Sequence, residues 1–217
     1  SFNNTSTRWI SAKIRNKTNS QAGQNCLVRL SYQAPESVDV DMTLPDNNVA
    51  IWTGRISTDW NECGNWEAGV MPSSTRDALF FDYNNDHMPT FFGVLDVNNI
   101  TIDENISLNI EPSSRLNVHG NWVNNNSSAT ILAQIAFVGN TQQSINGPTT
   151  FNKLLVDNAN GVVINDDITI GNGGSFLFTE GNIIRNNNNL TIGSGVSVSS
   201  SSENSYIETI NDEASGG

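Results

Sequence analysis

Short apolar runs separated by polar corners dominate this sequence and limit what it can fold into. From about residue 98 onward, runs of two or three apolar residues recur every ~6–14 residues, between stretches rich in Asn, Gly and Ser. No window shows the 3.6-residue period of an amphipathic helix. The runs include Ile100-Thr-Ile102, Leu116-Asn-Val118, Leu154-Leu-Val156, Val162-Val-Ile164, Ile168-Thr-Ile170, Phe176-Leu-Phe178 and Leu190-Thr-Ile192.

Such short runs cannot bury their apolar faces alone. Two or three runs per turn give a coil of about 20 residues, and stacked coils pair their backbones and align their apolar side chains in columns. The corners need tight or left-handed backbone, which Asn160-Gly161 and the stretches 171–174 and 186–189 supply. A β-sandwich would have longer strands. The pattern therefore predicts a β-solenoid and disfavours the sandwich.

The first 48 residues have a different pattern, the strict alternation of half-buried strands. Pro35 and Pro45 bound the clearest case, a strand over residues 37–44. Its inward residues are Val38, Val40, Met42 and Leu44. Residues 1–48 are therefore predicted to be the closing strands of an antiparallel β-sandwich-like domain.

The fold class predicted for the chain is all-β, a right-handed parallel β-helix preceded by that antiparallel domain. Residues 49–97 are turn-rich and contain Trp52, Trp60 and Trp66, so they are assigned to an opening or capping module. Residues 98–210 are assigned to the solenoid coils.

Charge and composition exclude several classes of function. The net charge is −12, with 10 Lys plus Arg against 22 Asp plus Glu, which excludes an electrostatic nucleic-acid interface and argues against anionic membranes. No apolar run approaches the length of about 18 residues that a membrane span needs. Only 15% of residues are charged, and Asn, Ser and Thr are abundant instead. That balance is typical of extracellular β-rich proteins.

Neither end of the sequence has the features of a natural terminus. The first residues lack the basic and apolar regions of a signal peptide, and the last ones read as a cut. We therefore expect a piece of a longer secreted protein.

One stretch has a specific pattern. Trp60, Asn65-Trp66, Gly69, Pro72, Asp77 and Phe80-Phe81 resemble a module that opens β-helical segments in long cell-surface proteins of gliding Bacteroidetes, exported by type IX secretion. Leu116-Asn-Val-His-Gly-Asn-Trp122 resembles a step of the coils that follow in that family. The resemblance covers about residues 53–198.

The resemblance implies a parallel β-helix with a structural or adhesive role linked to surface adhesion or gliding, without catalytic residues. The implied location is the outer surface of a Gram-negative bacterium. The implied partners are the secretion machinery during export and then a surface glycan or protein ligand. No cofactor is implied, and the family's C-terminal sorting domain is not found in this sequence.

The two cysteines, Cys26 and Cys63, admit two interpretations. A disulfide would fit an oxidising compartment and tie the first segment to the second. The alternative is a pair of buried free thiols.

A calcium loop is considered over residues 82–86, where Asp82, Asn84 and Asp86 place oxygen ligands at alternate positions. His87 stands where an EF-hand needs Gly, and Gly93 where it needs Glu. These departures favour a polar loop, with calcium as the alternative.

Trp60 and Trp66 invite a second ligand hypothesis, because exposed aromatic rings stack on sugars. A solenoid end also needs large apolar groups to seal it, so capping is the favoured role for both tryptophans.

A β-helical polysaccharide-degrading enzyme is the remaining alternative. His87 and His119 are far apart in sequence, and after Lys153 the only cationic side chain is Arg185. That scarcity disfavours a cationic uronate site. Asp166-Asp167 is predicted to be a turn and 171–174 a corner, in preference to a carboxylate pair and a phosphate loop.

Overall fold

The computed structural model describes residues 48–81, 87–106, 108, 110–126, 130–200 and 203–208. The antiparallel strands predicted within residues 1–48, and the residues 82–86 of the calcium hypothesis, lie outside these described residues apart from position 48.

The described residues form β-strands and two single-turn 3-10 helices, Cys63–Asn65 and Glu67–Gly69, without an α-helix. The strands are β1 Val49–Ile51, β2 Asp77–Phe80, β3 Val94–Val97, β4 Ile100–Ile102, β5 Arg115–Val118, β6 Trp122–Asn124, β7 Thr130–Phe137, β8 Gln143–Asn146, β9 Thr149–Asp157, β10 Val162–Ile164, β11 Ile168–Glu180, β12 Ile183–Ile184, β13 Leu190–Ile192, β14 Ser197–Ser200 and β15 Ile207–Glu208.

Two parallel sheets contain all of these strands. One sheet has the order β1-β2-β4-β6-β8-β10-β12-β15. The other has the order β13-β11-β9-β7-β5-β3, and β14 also pairs with β11. Every strand pair is parallel, and neighbours within a sheet are about 20 residues apart in sequence. The described part of the chain is therefore a β-solenoid of about 5 turns, as the spacing of the apolar runs predicted.

Each full coil has three strand-bearing sides. The first side is the eight-stranded sheet. The long strands β7, β9 and β11 change register partway along, between Ile131 and Gln134 and between Ile170 and Ser175. In these long strands, the residues before the shift form the second side of the coil, whose last strand is β13. The residues after the shift form the third side, which begins with β3 and ends with β14. The predicted corner at 171–174 lies at one such shift.

The core is a set of apolar columns that run from coil to coil. One column on the third side is made by in-register residues that are all buried: Leu95, Leu116, Ile135, Leu154 and Phe176. Outward residues alternate with them, as in the buried-exposed pattern of β3. Side chains from successive coils thus bury one another, as expected for a solenoid.

Polar side chains connect the coils at one corner of the solenoid. Asp77 Oδ1 accepts a hydrogen bond from the backbone N–H of Asn99 at 3.1 Å. Asn99 Oδ1 accepts from the N–H of Asn121 at 2.7 Å, and Asn121 Oδ1 accepts from the N–H of Ser144 at 2.8 Å. Each link joins one coil to the next, which explains why Asn and Asp precede or begin the strands of the first side.

Strands also occur before residue 98, inside the segment assigned to the opening module. β1 pairs with β2 and β2 with β4, so the first side continues back to residue 49. β3 pairs with β5 and is the terminal strand of the third side. This places the Trp-rich segment, residues 52–76, between the first two strands of the first side.

Candidate functional site

The tryptophans of the opening segment form a buried aromatic cluster. The rings of Trp52 and Trp66 meet edge to face at 5.0 Å between centroids, and those of Trp60 and Trp66 at 4.9 Å. Phe80 of β2 and Phe91 pack against Trp60 at 5.5 Å and 5.4 Å. Offset and edge-to-face contacts at these distances are the favoured geometry for aromatic pairs.

Asn65 holds the loop around this cluster. Its side chain is fully buried, and its Oδ1 accepts hydrogen bonds from the backbone N–H groups of Ile56 and Ser57, both at 2.8 Å. Its Nδ2 donates to the Asp59 carbonyl at 2.8 Å and to Ser57 Oγ at 3.0 Å. An Asn at this position therefore satisfies a complete set of loop hydrogen bonds, which gives the Asn-Trp pair of the sequence a structural reason.

The two tryptophans proposed as sugar platforms have no free ring face. Trp60 is 1% and Trp66 is 2% exposed. The indole Nε1 of Trp66 donates to the Trp60 carbonyl at 2.8 Å. Since a sugar needs an exposed ring to stack on, neither residue can serve as the platform in this structure. Their burial fits the capping hypothesis, which remains a prediction.

Two further site hypotheses concern residues that are described only in part. Cys63 is half-buried and disulfide-bonded. Cys26 lies outside the described residues, so the pairing of the two remains a prediction. The calcium candidates Asp82, Asn84 and Asp86 lie outside them as well. Within the part of the chain that the structure describes, no three His, Cys, Asp or Glu side chains converge as metal ligands.

Asp166 and Asp167 occupy a turn between β10 and β11, as predicted, and interact with different coils. Asp166 Oδ2 accepts from the Gly147 N–H at 2.6 Å, on the preceding coil. Asp167 accepts from the Asn189 N–H at 2.7 Å and from its Nδ2 at 3.1 Å, on the following coil. The two hydrogen bonds from Asn189 hold the pKa of the Asp167 carboxyl below its usual value, and the backbone one has the larger effect.

The outward face of the third side holds a polar row that spans two coils. Asp96 of β3 accepts, through Oδ1, from Asn117 Nδ2 at 3.1 Å and lies 2.8 Å from His119 Nε2. Arg115 Nε donates to Asn117 Oδ1 at 2.7 Å. The side chains of His119 and Asp96 are 32% and 48% exposed. The row is therefore both fixed by hydrogen bonds and accessible to a ligand.

An exposed aromatic side chain precedes β3 in the chain. Phe91 points inward and is 2% exposed, whereas its neighbour Phe92 is 74% exposed. Val94, the next outward residue on β3, is 60% exposed. The chain is fixed here by the Arg115 N–H, which donates to the Gly93 carbonyl at 2.8 Å. Phe92 and Val94 are thus two large apolar side chains that are open to solvent.

A cleft of about 300 Å³ opens along the terminal strand β3. Residues of the Trp-rich segment and of β3 line it: Trp60, Met71, Pro72, Ser73, Ser74, Val94, Leu95 and Asp96. Asp96 therefore belongs both to the cleft and to the polar row. We call the cleft and the row Asp96, Arg115, Asn117 and His119 the β3 site.

Sequence reasoning did not find the β3 site. It considered His119 only as one of two histidines far apart in sequence, and it did not consider Asp96. The available signal was alternation: Val94 and Asp96 alternate with inward residues, as do Arg115 and Asn117 one coil later. Only the strand register, which sets Asp96 opposite Asn117, shows that the outward residues of β3 and β5 lie side by side.

Comparisons with protein-family models, with curated proteins and with solved structures found no match for this chain. A search of the described residues for a helix long and apolar enough to span a membrane found none.

Proposed function

We propose that this chain is a module of a secreted, non-enzymatic surface protein with a structural or adhesive role. The proposal includes export by type IX secretion and a location on the outside of a Gram-negative cell. Both follow from the resemblance at Trp60, Asn65-Trp66, Gly69, Pro72 and Asp77.

The observation that carries the proposal is the polar ladder between coils. Asp77, Asn99 and Asn121 each accept a backbone N–H of the next coil, so single side-chain oxygens, two of them from neutral amides, connect the coils without paired opposite charges. Such a solenoid is extended and presents long, weakly charged sides. These properties suit a spacer or an adhesive rod outside the cell.

The module that carries the resemblance also has a structural reason in this chain. Asn65 organises the loop, Trp66 packs in the aromatic cluster, and Asp77 begins the ladder. The residues that carry the resemblance are thus those that start the solenoid. A role in building the solenoid accounts for Asn65, Trp66 and Asp77.

The experiment is surface proteolysis of intact cells of the source bacterium, with an antibody against this chain as the readout. We expect proteinase K to remove the antigen from intact wild-type cells. In a mutant lacking type IX secretion we expect the antigen to be protected and retained inside. Protection in the wild type would overturn the surface location, and removal in both strains would overturn only the export route.

A further inference from the structure

We propose that Asn172 is a site of self-modification, at which the folded chain converts an asparagine to aspartate or isoaspartate. The reacting groups are those of the Asn172-Gly173 pair, and the co-reactant is water. The site lies in the corner at residues 171–174, and the inference does not depend on the proposed surface role.

The reaction joins the side chain of the asparagine to the backbone of the next residue. The Gly173 nitrogen loses its proton to solvent hydroxide and bonds to Asn172 Cγ. The Cγ–Nδ2 bond breaks, and Nδ2 leaves as ammonia with a proton from water. A second water opens the cyclic imide at either carbonyl, which gives aspartate or isoaspartate without any oxidation or reduction. Glycine favours ring closure because it has no Cβ to crowd the imide.

The fold shields every Asn-Gly pair of the sequence, which are Asn146-Gly147, Asn160-Gly161 and Asn172-Gly173. The three glycine N–H groups donate, in that order, to Asp166 Oδ2 at 2.6 Å, to the Asn158 carbonyl at 2.9 Å and to the Ser194 carbonyl at 2.9 Å. A bonded N–H is held away from the asparagine side chain and keeps its proton. The rate at each pair is therefore set by how often its hydrogen bond opens.

One residue holds both reacting groups at Asn172-Gly173. The Ser194 carbonyl accepts from the Gly173 N–H, and the Ser194 N–H donates to Asn172 Oδ1, both at 2.9 Å. Asn172 and Gly173 are both exposed. A single movement of Ser194 thus releases the nitrogen and the side chain together, in contact with water.

Ser194 lies on the least covered coil of the described structure. It connects β13 and β14, which both pair with β11 and are the last described strands of their sides. Every residue of β14 is exposed, and Ile192 of β13 is 42% exposed. Hydrogen bonds to such an edge open more often than those between covered coils.

The other two pairs are held more firmly. The Asn146 side chain donates to the Trp122 carbonyl at 3.3 Å and accepts from Asn165 Nδ2 at 2.9 Å, so it is tied to two coils. Gly161 is buried, and the N–H of the next residue, Val162, donates to the Asn182 carbonyl of the following coil at 2.9 Å. Both pairs should therefore open rarely.

The test is peptide mapping of the full chain after incubation in mildly alkaline buffer, with tandem mass spectrometry as the readout. Trypsin cleaves after Lys153 and Arg185, so one peptide contains both Asn160 and Asn172 and compares them directly. Digestion in ¹⁸O-water marks any conversion that occurs during preparation. The same chain in guanidinium chloride gives the unshielded rate of each pair. Relative to those rates, we expect Asn172 of the folded chain to convert at least about tenfold faster than Asn146 and Asn160.

Variants of the last coil test the shield without touching the reacting groups. Leu190 and Val196 flank Ser194 and pack partly buried against the core. Leu190→Ala should loosen this coil and speed the conversion of Asn172 about fivefold, with no change at the other two pairs. Val196→Ala is the second variant, and it decides the question if Leu190→Ala does not fold by circular dichroism.

A matched variant moves the effect to another pair. Asp166→Ala removes the acceptor of the Gly147 N–H, so Asn146 should convert faster while Asn172 keeps its wild-type rate. Asn172→Gln is the blank, because its longer side chain closes a less favourable ring and should give no conversion at this position.

Three results would overturn the inference. The first is conversion of Asn146 or Asn160 in the folded chain as fast as that of Asn172. The second is no conversion of Asn172 in the folded chain when the guanidinium sample converts. The third is an unchanged Asn172 rate in the folded last-coil variant. Faster conversion of Asn172 that rises in that variant supports it, whatever surface proteolysis shows for the proposed function.

Discussion

The two ends of the described solenoid differ in how far their inward side chains are buried. At the first end, Trp52, Trp60 and Trp66 are at most 2% exposed. At the other end, Ile192, Val198 and Ile207 are 42%, 54% and 37% exposed. Yet these three lie in register with Ile170, Phe176 and Ile183, which are buried.

The difference shows that burial in this fold is supplied by the neighbouring coil. An inward residue of a repeated coil is covered only when another coil lies on it. At the first end, aromatic side chains from an irregular loop cover the core in place of a coil, and Asn65 fixes that loop. Stability should therefore be concentrated at the first end and in the middle coils, and should decline toward β15.

The strongest test of the sealed end is Trp66→Ala. We expect a loss of about 3–5 kcal/mol in the free energy of unfolding, because a fully buried indole is removed and a cavity is left. Urea denaturation followed by far-UV circular dichroism measures it. A loss below about 1 kcal/mol would mean that the cluster does not seal this end.

A matched pair of substitutions tests the gradient between coils directly. Ile170→Ala should cost about 2–5 kcal/mol, while Ile192→Ala, at the register position one coil later, should cost about 1 kcal/mol or less. The chemistry is identical, so the difference in urea midpoint reports only the covering coil. Equal losses for the two variants would show that the last coil is covered in solution.

Asn65→Ala tests the contribution of the loop hydrogen bonds without removing any ring of the aromatic cluster. The substitution leaves the N–H groups of Ile56 and Ser57 and the Asp59 carbonyl without this partner, so we expect a loss of about 2–4 kcal/mol. Asn146→Ala is the control, because Asn146 is only half-buried, its Nδ2 donates at 3.0–3.3 Å and its Oδ1 accepts from Asn165 Nδ2 at 2.9 Å. If both cost the same in thermal unfolding, Asn65 has no special role.

Much of the fold was predictable because the solenoid repeats its own signals. The apolar runs predicted the inward columns, and Asn160-Gly161 and the stretch 171–174 predicted corners. The β3 site was not predictable in the same way. Coils here differ in length by a few residues, and an error of one residue turns an outward side chain inward. Asp96 and Asn117 could be placed side by side only once their register was known.

The exposure of Trp60 and Trp66 could not be predicted from the sequence either. A tryptophan in a turn-rich segment can seal a core or lie on its surface, and local spacing does not decide between them. What decides is contact with Phe80 and Phe91, which come from β2 and from the approach to β3. Their burial leaves Trp60 and Trp66 without the exposed ring face that the sugar-platform hypothesis requires.

The smallest expected effect concerns the contact between the last two full coils. Asn189 lowers the pKa of the Asp167 carboxyl by donating to its charged form, so this contact stabilises the folded state above the usual carboxyl pKa. The contribution is lost as pH falls below about 4 and passes through the lowered pKa. Asp167→Asn removes it, so the difference in urea midpoint between wild type and variant should be present at pH 6 and shrink toward pH 3. Because Asp167 is fully exposed, this change in the urea midpoint difference will be small. A midpoint difference that is the same at pH 6 and pH 3 would mean that the Asp167–Asn189 contact does not hold the last coil in solution.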